Sequence, residues 1–184
     1  TLYYTLTTQL IKIPVQYGNG IYTIRFYESV DAKSNKFINL ASKMLSVTLK
    51  LAITPFINPN IYVNYTKQQN IFSNSGDIIN DIKQFVHDKL QYNYLKAVAI
   101  RKETLPDVKN VIENNTGVCQ DLAAFCVSQM RLNRIPAKLV IGYADKNYHA
   151  WVEYLDNGKW IQYDPTLALK AIKQPKKYTV ERFY

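Results

Sequence analysis

The chain predicts an α+β fold, with a helix packed on an antiparallel sheet and a β-rich segment ahead of both. Three observations predict it. Asn157-Gly158 sits between two aromatic-rich alternating runs, the strongest short-range signal of a hairpin, because both residues tolerate positive φ. From Cys119 onward, apolar residues recur at 119, 122, 123, 126, 127 and 130, which is a helical period. Near the start, Ile21-Tyr22-Thr23-Ile24-Arg25-Phe26-Tyr27 alternates like a strand after the turn Gly18-Asn19-Gly20, and Leu45 to Leu51 alternates again.

Between those two strands, part of Asp31 to Leu45 is expected to form a short helix. Pro55 to Tyr65 reads as an extended connector whose two prolines preclude a central strand. Residues 66–76 are polar and turn-rich, which places a boundary between a β-rich segment over 1–65 and a core over 66–184. At 184 residues the chain can bury one sizeable core. A helix is predicted from about Asp77 to Gln91 on the stripe Ile78, Ile79, Ile82, Phe85, Val86 and Leu90. His87 falls off that stripe beside Lys83, Gln84 and Asp88, so it is expected in solvent.

Folding 148–155 back on 160–166 through Asn157-Gly158 pairs Asp156 with Lys159, Trp151 with Asp164 and His149 with Thr166. Residues 149, 151 and 153 then share one face, and His149 and Asp164 become diagonal cross-strand neighbours within reach of each other. The helix headed by Cys119 is expected to pack against that face and to close at Asn133, before Ile135-Pro136.

Cys119 thus lies in a first helical turn, where free N–H groups and the dipole stabilise a thiolate. A cysteine nucleophile, a histidine base and an aspartate that orients it arrive in one compact segment as Cys119, His149 and Asp164. His149 is the available base, since His87 is the only other histidine. Cys126, one of two cysteines, lies seven residues along the same helix, about 10 Å away and beyond the roughly 7 Å limit of a disulfide. It reads as a packed thiol. Gly117 and Val118 ahead of the nucleophile, whose backbone N–H groups can form an oxyanion hole, and Trp151 beyond the histidine, are candidates for oxyanion stabilisation and substrate positioning. Asp121 departs from the apolar stripe and reads as a hydrogen-bonding group at the helix start.

Three motifs stand in order: Gly117-Val118-Cys119-Gln120-Asp121-Leu122-Ala123, His149-Ala150-Trp151 and Asp164-Pro165-Thr166. In sequence and spacing they resemble the transglutaminase-like superfamily over roughly residues 66–168. The resemblance implies a papain-like α+β core with Cys119, His149 and Asp164 as the triad. Its members include amide-crosslinking enzymes, peptidases, amidases and inactive relatives. The stretch from Gly18 to Tyr65 is similar to the region that precedes this core in some secreted bacterial members, which implies a secreted or cell-surface location. No charged-then-apolar leader opens the chain, and its first residue is threonine, so a mature or trimmed form is expected.

Two histidines and two cysteines in this spacing form neither a zinc finger nor a zincin motif, so no metal or cofactor is expected. The longest apolar run, Met44 to Phe56, is interrupted by Lys50 and is too short to span a bilayer. The net charge of +9 suits anionic surroundings such as a cell wall or an acidic substrate. Nucleic acid is not expected as a partner, because no recognised binding motif accompanies the charge. The basic cluster Lys170, Lys173, Lys176, Lys177 and Arg182 reads as solvated surface.

Two functions fit. One is an enzyme that forms a thioester on Cys119 from a peptide or carboxamide, with hydrolysis favoured over crosslinking by analogy with small cores that lack a calcium motif. The other is a peptide- or wall-binding module that keeps the fold without catalysis. An intact triad favours the enzyme.

Overall fold

The computed structural model describes residues 15, 17–30, 36–49, 56–65, 68–100 and 104–184. The described residues fall into two compact units, which divide between Pro55 and Phe56. The first is an antiparallel ribbon of β1 (Gly20–Ser29) and β2 (Phe37–Val47), in register from Gly20 opposite Val47, with a bulge between Phe26 and Tyr27. Asn19 ties the base of the ribbon by accepting from the Leu49 N–H at 2.6 Å.

The short helix expected within Asp31 to Leu45 does not form from Phe37 onward, where β2 runs instead. Apolar residues at 37, 38, 40, 41, 44 and 45 mimic a helical stripe, but β1 supplies a ladder of ten paired positions and tertiary pairing overrides the local pattern. Lys50 and Leu51, the end of the second expected strand, lie outside the described residues.

The second unit opens with residues 56–65, which have no strand. Asn60 Oδ1 accepts from the N–H groups of Tyr62 and Val63 at 2.9 and 3.0 Å, and this turn sends Val63 fully into the core. There follow α1 (Ile78–Lys89), β3 (Gln91–Tyr92), α2 (Tyr94–Ala99), α3 (Val108–Asn114), β4 (Thr116–Gly117), α4 (Cys119–Leu132), β5 (Ala137–Ala144), β6 (Asn147–Asp156), β7 (Lys159–Tyr163), α5 (Pro165–Ala168) and β8 (Tyr178–Phe183). Asp77 caps α1 through the Asn80 N–H, where the sequence predicts that helix to begin. Strands β7-β6-β5-β8 make one antiparallel sheet, while β3 and β4 form a short parallel bridge.

The β6–β7 register pairs Asp156 with Lys159 and Val152 with Tyr163, the frame that a two-residue Asn157-Gly158 loop demands. Both loop residues have positive φ, 47° and 78°. The sheet pairing ends at Tyr163, so Asp164 caps α5 and Thr166 arrives on a helical turn instead of opposite His149.

Helix α4 runs through the core, with Leu122, Ala123, Val127 and Met130 fully buried. Its partners on β6 are Ala150, Val152 and Tyr154, the alternate face from His149, Trp151 and Glu153. The expectation that the helix packs on the His149 face is therefore corrected. Its flank covers the Ala150, Val152 and Tyr154 face, and Cys119 at its start lies near the histidine. Arg131, 2% exposed, locks the other end of the helix by donating to the carbonyls of Ala137, Asn58 and Tyr184 at 2.7 to 2.9 Å. Burial pulls its guanidinium down to about 10, so it stays charged at neutral pH. Among the described residues no helix is long and apolar enough to cross a membrane.

Candidate active site

The helix start is built around a buried acid. Asp121, fully buried in the first turn of α4, accepts from the Val118 N–H at 3.0 Å and Lys96 Nζ at 2.7 Å on Oδ2, and from the Asp107 N–H at 2.8 Å on Oδ1. One carboxylate thereby joins α2, the cap of α3 and the turn that presents Cys119. Burying this charge is tolerable because an ammonium and two backbone donors surround it. Lys96 and Asp107 carry no local signal of this role in the sequence, for they lie 25 and 14 residues from Asp121.

Gly117 is glycine for packing. A Cβ there would stand 2.8 Å from Asp121 Cβ and 3.0 Å from Val111 Cγ2, so the close approach is made by Asp121. The Val118 N–H is already engaged by Asp121, and the side chain of Val118 is buried. The Tyr92 phenol lies near Cys119, and burial and the nearby thiol push it up to about 12. Tyr92 thus remains a neutral hydroxyl beside Cys119 at ordinary pH. Trp151 is fully buried, 4.9 Å edge-on to the Tyr178 ring and 6.4 Å from the His149 ring. It walls the imidazole from the sheet side, and its indole N–H has no acceptor among the described residues.

His149 and Asp164, each 5% exposed, meet with Nε2 2.8 Å from Oδ2. With Nε2 on Asp164, Nδ1 is the ring nitrogen left for the Cys119 thiol, which lies near enough to favour the charged imidazole. Burial by itself pulls the imidazole down, but the bond to Asp164 and the nearby Cys119 thiol outweigh it and raise His149 to about 9. Burial likewise pushes Asp164 up, and the donors His149, Thr166 and Tyr178 overcome it and hold the carboxylate below its ordinary value. Thr166 serves Oδ1 twice, through its hydroxyl at 2.6 Å and its N–H at 2.9 Å.

Cys119 is partly exposed, whereas Cys126 is fully buried with its thiol pushed far up by burial. His87 is 62% exposed and bonded to Asp88, on the solvent side of α1 where its position off the apolar stripe puts it. The structure therefore gathers Cys119, His149 and Asp164 at one point. Sequence reading misses Tyr92, Tyr178, Lys96 and the double bond from Thr166. Thr166 alone had a usable signal, since a threonine two residues after a helix-capping aspartate can bond it back. Among the described residues no group of three or more acidic, histidine or cysteine side chains is arranged to hold a metal.

This arrangement can place a thiol, a protonated imidazole and an anchored carboxylate in a line, which suits nucleophilic attack on a carbonyl followed by proton delivery to the leaving group. Residues 64–165 match the profile of the Transglutaminase-like superfamily. A solved structure of a candidate cysteine protease from Cytophaga hutchinsonii is similar, with a TM-score of 0.53 and 20% identity over 80% of this chain and 64% of that one. At such identity the likeness is one of fold, and the chain spans only about 64% of that protein's length. No curated protein matches the chain.

Proposed function

Because the chain belongs to the transglutaminase-like superfamily, matched across residues 64–165, we propose that it is a cysteine-dependent enzyme that cleaves a peptide or carboxamide through a thioester on Cys119. The observation that carries this reading is the buried His149–Asp164 pair, Nε2 to Oδ2 at 2.8 Å, with the partly exposed Cys119 thiol near enough to the imidazole to favour its charged form.

The thiolate of Cys119 adds to the substrate carbonyl while the imidazolium of His149 keeps its proton. Negative charge moves to the carbonyl oxygen, for which the Tyr92 hydroxyl beside Cys119 is the proposed donor. Collapse of this adduct breaks the carbon–nitrogen bond, and His149 Nδ1 passes its proton to the departing amine. The imidazole, now neutral, takes a proton from water as that water attacks the thioester. The carbon–sulfur bond then breaks, which frees the acid and restores the thiolate–imidazolium pair. Asp164 holds the ring and its positive charge throughout.

Water is the proposed acceptor because Cys119 is partly exposed. Transfer to a lysine amine would need a cleft that excludes water while the thioester lives. A protein or peptide substrate in anionic surroundings, such as a bacterial cell wall, suits the net charge of +9, and a secreted or cell-surface setting accords with it.

Alanine replacement tests the reading. Cys119→Ala and His149→Ala are each expected to lower turnover of peptide amides by about four orders of magnitude, with the double variant little worse than either. Asp164→Asn is expected to lose less, because nucleophile and base stay in place. Full activity in Cys119→Ala would end the proposal, and binding without turnover in the wild type would favour a binding module.

A further inference from the structure

Both oxygens of Asp164 are fully engaged. Oδ1 takes the two donors of Thr166, while Oδ2 takes His149 Nε2 and, also at 2.8 Å, the phenol of Tyr178. Tyr178 lies outside the region matched by the family profile, on the last strand of the sheet. It reaches this oxygen from the opposite edge, since the strand order is β7-β6-β5-β8.

Three features deliver it there. Gly142 pairs with His149 on one side and with Val180 on the other, and a Cβ at 142 would lie 2.0 Å from the Thr179 carbonyl oxygen. The backbone of β8 thus occupies the space that any side chain at 142 would fill. The β5–β8 register shifts between Ile141 and Gly142, which leaves Glu181 as the extra residue of a bulge, a device that re-aims the side chains beyond it. Asp145, finally, fixes the entry to β8. Its Oδ1 accepts from the N–H groups of Lys176 and Lys177 at 3.0 Å each, and its own N–H donates to the Lys177 carbonyl at 2.8 Å. The Tyr178 ring then lies edge-on to Trp151 at 4.9 Å and 6.5 Å from the His149 ring.

We infer that Tyr178 is a positioning residue for the His149–Asp164 pair, and that β8 is consequently a working part of the site. The phenol restrains rotation of the carboxylate and takes a share of the charge on the oxygen that holds the imidazole. Without it Oδ2 would grip the imidazolium harder and the carboxylate would turn more freely. Titratable groups that face the imidazole are Cys119 from α4 and Asp164 from the cap of α5; Tyr178 acts through Asp164. Burial and the Asp164 carboxylate push the Tyr178 phenol far above its ordinary value, so it stays a donor at working pH. The consequence for turnover rests on the acyl-transfer reading above, whereas the effect on the imidazole does not.

The test follows the imidazole resonances of His149 against pH by NMR, in the wild type and in Tyr178→Phe, with exposed His87 as internal reference. The His149 midpoint is expected to move up by about half a pH unit while that of His87 stays. In kinetics, kcat is expected to fall about tenfold with KM unchanged, and the alkaline limb should follow the NMR midpoint. A folded Tyr178→Phe with an unmoved His149 midpoint would overturn the inference. Should that variant not fold, 3-fluorotyrosine at position 178 keeps the shape and strengthens the donor, so the midpoint should move down; no movement would be equally fatal. A wild type without turnover would sink the proposed function but leave these shifts measurable. An unshifted His149 in an active enzyme would sink this inference alone.

Discussion

His149 Nε2 stands 2.8 Å from Asp164 Oδ2, and both groups are 5% exposed. Each stabilises the charged form of the other against the burial that opposes it. His149 is raised to about 9, above the ordinary 6.5 of the unfolded chain, so its contribution to stability is complete below pH 6.5 and lost as pH rises through about 9. It amounts to something on the order of 3 kcal/mol. Asp164 is lowered from 3.8, so its contribution is present above pH 3.8 and lost as pH falls through the lowered value. Denaturant unfolding should therefore show wild type losing stability between pH 7 and 10, with most of that slope absent in His149→Gln. In the proposed mechanism the imidazolium is also the acid for the leaving amine, so kcat/KM is expected to fall above about pH 9. A flat profile from pH 7 to 10 in both measurements would contradict this account of the pair.

The two thiols should differ sharply. Cys119 is partly exposed and lies beside the imidazole, whereas Cys126 is fully buried and its thiol is pushed far up by desolvation. Iodoacetamide at pH 6 to 7 is expected to label Cys119 at least about a hundredfold faster, with Cys126 reacting only as the protein opens. Peptide mapping of the alkylated protein reads the ratio, and equal native rates would refute the assignment.

Gly142→Ala should damage the sheet and the site together. The added carbon would meet the Thr179 carbonyl oxygen at 2.0 Å, and backbone cannot swing aside as a side chain can. A loss of about 3 kcal/mol or more is expected by thermal or denaturant unfolding. Ala at Gly158, where φ is +78° and nothing stands within 4 Å, should cost only about 1 kcal/mol of backbone strain. The reverse order would mean that β8 does not lie against Gly142.

Helix α4 and the hairpin are legible in the sequence because each rests on local chemistry. A period of 3.6 begins at Cys119, and an Asn-Gly pair can take two positive φ values at 157 and 158. Register then follows from counting residues back from the turn, and that count makes His149 and Asp164 diagonal neighbours. Asp164 itself caps α5, so the pair meets at the end of the ladder instead of within it. What is not legible depends on partners distant in sequence. Phe37–Val47 has the spacing of a helix and becomes a strand because β1 pairs with it. Tyr178 sits among lysines that read as solvated surface, and its role appears only when Gly142, the Glu181 bulge and Asp145 bend β8 toward Asp164. Lys96 and Asp107 find Asp121 across three helices, a convergence that no periodicity announces.

The central claim is a covalent acyl intermediate on Cys119, and intact-protein mass measurement after acid quench tests it most directly. Wild type mixed with a library of peptide amides and activated peptide esters is expected to gain the mass of one acyl group. Fragmentation should place that group on Cys119, hydroxylamine should release it as expected for a thioester, and Cys119→Ala should gain nothing. An adduct on another residue, or equal acylation of Cys119→Ala, would contradict the account, as would turnover of the same substrates with no adduct under any quench condition.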